Sequence, residues 1–84
     1  MKLIFADEAW EDYCYWQAVD ATLFDRINRL LRAIQRKPFS GIGKPEALQH
    51  ALAGFWSRRT SHDQRVGYRV EGDTVLIAQL RVHC

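Results

Sequence analysis

Eighty-four residues make one small domain, residues 1–84, with no room for a second, and an apolar share of 48% with three Trp, three Tyr and four Phe excludes a disordered chain. The longest aliphatic run, Val75 to Ala78, is far short of a membrane span and the opening apolar run stops at Asp7, so no membrane helix or signal peptide is expected, and the cytosol is the expected compartment. The net charge of +2 hides an asymmetry: up to residue 25 one Lys faces six carboxylates, whereas residues 26–84 carry eleven Lys and Arg against four, a pattern that fits a polyanionic partner as well as a surface of mixed charge.

In chain order, Lys2 to Ala6 reads as a short strand, and the Asp7-Glu8 pair starts a helix by complementing the positive end of its dipole. After a break near Asp20, Leu23, Ile27, Leu30, Leu31 and Ile34 recur at helical spacing with Arg26, Arg29, Arg32 and Arg36 outside the stripe. Pro38 ends that helix. Gly41, Gly43 and Pro45 punctuate a loop, with one helical turn near Glu46 to Leu52. Phe55 to Arg59, Arg65 to Val70 and Thr74 to His83 read as three strands, the last two joined by the turn at Glu71-Gly72-Asp73. Alternation groups Leu76, Ala78, Leu80 and Val82 on the apolar face of the last strand, and Val66, Tyr68 and Val70 on one face of the strand before it. The order βααβββ predicts an α+β fold: two helices on one face of an antiparallel sheet, the other face partly polar and lined by arginines. Trp10, Trp16 and Trp56 are expected in the core.

No GxGxxG, P-loop, HExxH or nucleophile elbow is present, and Cys14 and Cys84 lack a zinc-binding spacing and read as thiols, so neither cofactor nor metal is expected. The chemistry-bearing residues are scattered: Glu46 on the loop, Arg58 and Arg59 at the end of one strand, Arg65 at the start of the next, His83 near the chain end. Antiparallel pairing would bring them to one edge of the sheet. Metal-free RNA cleavage uses such a set: a base for the 2′-hydroxyl proton, cations for the charge growing on phosphorus, and an acid for the departing 5′-oxygen. Histidine suits the acid role, whereas a glutamate is a weak base unless its surroundings raise its pKa. Each group also has an ordinary reading: a terminal histidine at the surface, a solvated Arg58-Arg59 strand edge, a polar turn at Lys44-Pro45-Glu46. The residues alone therefore define a small α+β domain with a basic edge suited to nucleic acid.

Longer motifs narrow this. Lys44-Pro-Glu-Ala-Leu48, Leu52-Ala-Gly-Phe-Trp-Ser-Arg-Arg59, Gln64-Arg65-Val-Gly-Tyr68 and Arg81-Val-His83, with Met1-Lys-Leu-Ile4, Trp10-Glu-Asp-Tyr13 and Tyr15-Trp16, resemble the YoeB-type toxins of the RelE/ParE superfamily along essentially the whole chain. The resemblance implies a RelE-like fold, similar to microbial ribonucleases, and ribosome-dependent, metal-independent cleavage of mRNA in the 30S A site. It assigns Glu46 as general base, Arg65 as the phosphate-stabilising cation and His83 as general acid, with Lys44 and Arg59 as supporting RNA contacts; Arg58 and Cys84 are expected to touch RNA as well. It also implies a YefM/Phd-like antitoxin with a disordered C-terminal segment, operator DNA bound through the antitoxin complex, and a homodimer. Two departures stand out: Cys84 replaces the terminal Tyr usual in the family, and Gln49 replaces a basic residue. Two rival functions share the fold: a ParE-like poison of gyrase that acts by binding, and a co-repressor component with weakened nuclease activity.

Overall fold

The structure is a computed structural model that describes residues 1–82. Its elements are β1 (Lys2–Phe5), α1 (Asp7–Val19), α2 (Ala21–Arg36), β2 (Glu46–Ala47), a 3₁₀ turn (His50–Leu52), β3 (Phe55–Arg59), β4 (Arg65–Glu71) and β5 (Thr74–Gln79). The five strands form one sheet in the order β1-β5-β4-β3-β2. Strand β1 runs parallel to β5, and the remaining pairs are antiparallel. The α+β expectation therefore holds, with one parallel edge. Among the described residues no helix is long and apolar enough to cross a membrane.

Local chemistry sets the helix boundaries. Asp7 and Glu8 occupy the first turn of α1. Asp20 closes α1 and opens α2, its carboxylate accepting from Leu23 N at 3.0 Å. This shared cap turns the chain back with no intervening loop. The apolar stripe of α2 is buried as its spacing predicts, from Leu23 to Ile34, and meets Ala9 and Trp16 of α1 over Val66, Tyr68, Val75 and Ile77 of the sheet.

Three sequence expectations are corrected. Glu46 and Ala47 form a strand, because Leu48 N to Phe55 O (2.9 Å) and the register Glu46↔Ser57 carry the sheet one strand further. Strand β5 stops at Gln79, and its buried residues are Val75 and Ile77, not Leu76 and Ala78. The cause is a bulge: Gly67 pairs with Gln79 but Tyr68 with Ile77, so Ala78 is an extra residue, after which Leu80 again turns into the core. Of the three tryptophans only Trp16 is buried; Trp56 is partly covered, and Trp10 lies over Phe5 and Tyr13 at the surface.

Candidate active site

The register places a row of residues across the sheet: Glu46 on β2, Ser57 on β3, Gly67 on β4 and Gln79 on β5 are successive cross-strand partners. Val66 and Tyr68 point into the helix-covered core, so alternation turns Gly67 and its row to the open face. Arg65, two residues before Gly67, shares that face. Its Nη1 donates to Ser57 Oγ at 3.0 Å and lies 3.9 Å from Glu46 Oε2. A groove of about 470 Å³ opens here, walled by Glu8, Glu46, Phe55, Arg65, Gln79 and Val82, with Gly67 on its floor.

Two of the expected residues, Glu46 and Arg65, are thus brought together although 19 positions apart. Their side chains remain 65% and 39% exposed, and at 3.9 Å the pair is loose. Such a pair contributes almost nothing to stability and leaves both groups open to an incoming ligand. Ser57, buried to 5% exposure, aims the guanidinium. It escapes a reading of the sequence because its hydroxyl acquires a partner only through the β3–β4 register.

Lys44 and Arg59 are exposed, Lys44 just before β2 and Arg59 across from Arg65 in the sheet. Arg58 is not available to RNA: it is 0% exposed, and this corrects both the solvated-edge reading and the RNA-contact expectation. Its guanidinium donates from Nη1 to Ile42 O (3.1 Å), from Nη2 to Ser40 O (2.9 Å) and to Lys37 O, and from Nε to Tyr68 Oη (3.1 Å). Tyr68 Oη in turn donates to Pro38 O at 2.6 Å. One arginine side chain therefore replaces the backbone pairing that the Gly/Pro loop cannot provide for itself. Burial pushes the Tyr68 phenol above its ordinary value of 10.0, while the adjoining Arg58 pulls the other way.

The same loop is held at its far end by Gly43, at φ +83°. Gly43 O accepts from Arg59 N at 2.7 Å, and an added Cβ there would sit 2.7 Å from Leu30 Cδ2 and 3.0 Å from Arg59 O. The loop is thereby fixed at both ends immediately before Glu46. His83 and Cys84 lie outside the described residues; Val82, the last of these, lines the groove. Cys14 is an exposed free thiol on α1. Among the described residues no cluster of His, Cys, Asp or Glu has metal-binding geometry.

Two helices on one face of such a sheet, with a groove on the other that joins a carboxylate to a guanidinium, define the RelE-like toxin architecture. Residues 5–84 match the family described as YoeB-like toxin of bacterial type II toxin-antitoxin system, and the chain belongs to that family. It is 49% identical to Toxin YoeB of Escherichia coli K12 over 83 residues, covering 99% of each chain. The YoeB/ParE toxin of Agrobacterium tumefaciens superposes with a TM-score of 0.95 at 43% identity over the full length of both chains. YoeB of Staphylococcus aureus, 39% identical, has been solved as a dimer and in a heterotetramer with YefM. The TM-scores are 0.91 and 0.93, and both superpositions cover 100% of this chain and 98% of the other.

Proposed function

We propose that this toxin is a ribosome-dependent mRNA endoribonuclease whose acid–base mechanism uses no metal ion. Glu46 takes the proton of the 2′-hydroxyl, and the freed oxygen attacks the adjacent phosphorus. Arg65 stabilises the added negative charge on the phosphorane, and His83 protonates the departing 5′-oxygen. The products are a 2′,3′-cyclic phosphate and a 5′-hydroxyl. The observation that carries this reading is the approach of Arg65 Nη1 to within 3.9 Å of Glu46 Oε2 in an open groove, with Ser57 holding the guanidinium from behind. A nucleotide entering there meets an acceptor for its 2′-hydroxyl proton and a donor for its phosphate charge together. Val82, to which His83 is bonded, lines the same groove. Lys44 and Arg59, both exposed, supply contacts to the RNA backbone.

In the cytoplasm the toxin is held by a YefM-like antitoxin whose disordered C-terminal segment covers the groove, and the complex binds operator DNA; free toxin pairs as a homodimer. The S. aureus YoeB dimer and YoeB-YefM heterotetramer support the homodimer and the antitoxin.

Mapping mRNA 5′ ends after induction tests the activity. Cuts confined to translated frames, reduced by His83→Ala to a slow residual rate, are the expected result. DNA breaks without mRNA cuts would instead identify a gyrase poison, and neither lesion would leave the co-repressor role.

A further inference from the structure

Past Gln79 the chain leaves the sheet, and side chains from elsewhere replace the missing strand partner. Leu80 N donates to Asp12 Oδ2 (3.0 Å), and Trp16 Nε1 donates to Leu80 O (2.8 Å). Both bonds are buried and belong to the packing of α1 against the sheet. One residue pair later the anchoring changes character. Val82 N donates to Gln64 Oε1 at 2.8 Å in an exposed bond that no part of the core requires. Gln64 itself is fixed, since its carbonyl accepts from Thr60 N (2.9 Å) and Ser61 N (3.3 Å). The next residue in the chain is Arg65.

We propose that Gln64 is a positioning residue that ties the C-terminal arm to the strand bearing Arg65, and so sets where His83 meets the scissile phosphate. This rests on the assignment of His83 as general acid. With the bond made, the peptide joining Val82 to the residue before it is held in register with the start of β4. Without it, the arm beyond Leu80 keeps the Arg81–Tyr15 stacking contact, 3.8 Å from guanidinium carbon to ring centroid, which restrains a side chain but not the backbone ahead of it. The backbone at Arg81 and Val82 is then less restrained, and the acid that follows them in the chain is delivered to the leaving oxygen less often.

The experiment compares Gln64→Leu, which removes the acceptor at similar size, with Gln64→Glu, which keeps an acceptor oxygen, in single-turnover cleavage of mRNA on programmed ribosomes. Gln64→Leu is expected to lower the maximal single-turnover rate between about ten- and a hundredfold with the half-saturating ribosome concentration and thermal midpoint unchanged. Gln64→Glu is expected to restore most of that rate. In a His83→Ala background Gln64→Leu is expected to cause no further loss, because no acid remains to be placed. An equal loss in that background would show that Gln64 acts on RNA or on Arg65 directly, and would overturn the proposal. Full activity of Gln64→Leu beside a slowed His83→Ala overturns the positioning role alone. Full activity of His83→Ala removes the acid assignment and the inference with it.

Discussion

Replacing Arg58 by methionine tests whether a buried cation, rather than loop composition, holds Glu46 in place. The guanidinium donates to the carbonyls of Lys37, Ser40 and Ile42 and to the Tyr68 phenol. Each bond to a charged donor contributes about 1.5–3 kcal/mol when its partner is otherwise left dry. Two effects reduce the sum: methionine removes the desolvation penalty of the buried charge, and water reaches the loop carbonyls once the loop lifts. The net loss expected is about 3 kcal/mol, the lower end of what breaking a buried charged network costs. At about 4–8 °C per kcal/mol for a domain of this length, the melting temperature falls by about 12–24 °C. Urea unfolding followed by tryptophan fluorescence measures the loss, and Trp56 reports on the loop directly because its ring sits 5.0 Å from that of Phe39. Amide exchange should accelerate over residues 37–45 before it does in α2, and cleavage measured well below the melting point should fall as Glu46 loses its fixed approach. A loss below about 0.5 kcal/mol, within the range of an ordinary surface substitution, refutes the reasoning.

Three further outcomes follow from the same geometry. Glu46→Gln should slow cleavage by about 10²–10⁴ while leaving the urea midpoint unchanged, because the carboxylate is exposed and only loosely paired; a stability change without a rate change would make Glu46 structural. Gly43→Ala should destabilise by at least about 1–3 kcal/mol, since φ is +83° and the new methyl meets Leu30 and the Arg59 carbonyl; differential scanning calorimetry measures it, and a neutral variant would remove Gly43 as an anchor. The Tyr68 phenol holds its proton more tightly in the fold than in the unfolded chain, so its contribution is complete below pH 10 and is lost as pH rises through the folded-state value; Tyr68→Phe should flatten the alkaline limb of the stability curve, and an unchanged limb would exclude Tyr68 as its source.

The parts of the fold legible in the sequence are those fixed by local periodicity. The α2 stripe needed only its own spacing, and the β3-β4-β5 meander needed only alternation and a turn at Gly72. Hairpin pairing put Arg59 beside Arg65, but it did not reach the loop on which Glu46 was expected; Glu46 meets Arg65 through a strand of two residues. That strand has no signature of its own: it exists because β3 offers an unpaired edge. The bulge at Ala78 was equally hidden, because both alternating sets in Val75 to Leu80 are largely apolar and neither announces which one faces inward.

Arg58 and Arg59 show why residue type underdetermines role. The two are adjacent, carry the same charge and occur in the motif that marks the family, yet alternation along β3 sends them to opposite faces. The partners of Trp56 and Arg58 across the strand pair are Tyr68 and Val66, both buried, and this argued from the register alone that Arg58 faces inward. An arginine so placed must find acceptors, and it finds them in the carbonyls of the Gly/Pro loop leading to Glu46. Burial of one arginine thus arranges the loop, the loop delivers the carboxylate to the open face, and its exposed neighbour is left free for the solvent side. The charge asymmetry first seen in the composition therefore divides into two kinds of work: cations such as Arg59 and Arg65 that face outward, and one that builds the wall behind them.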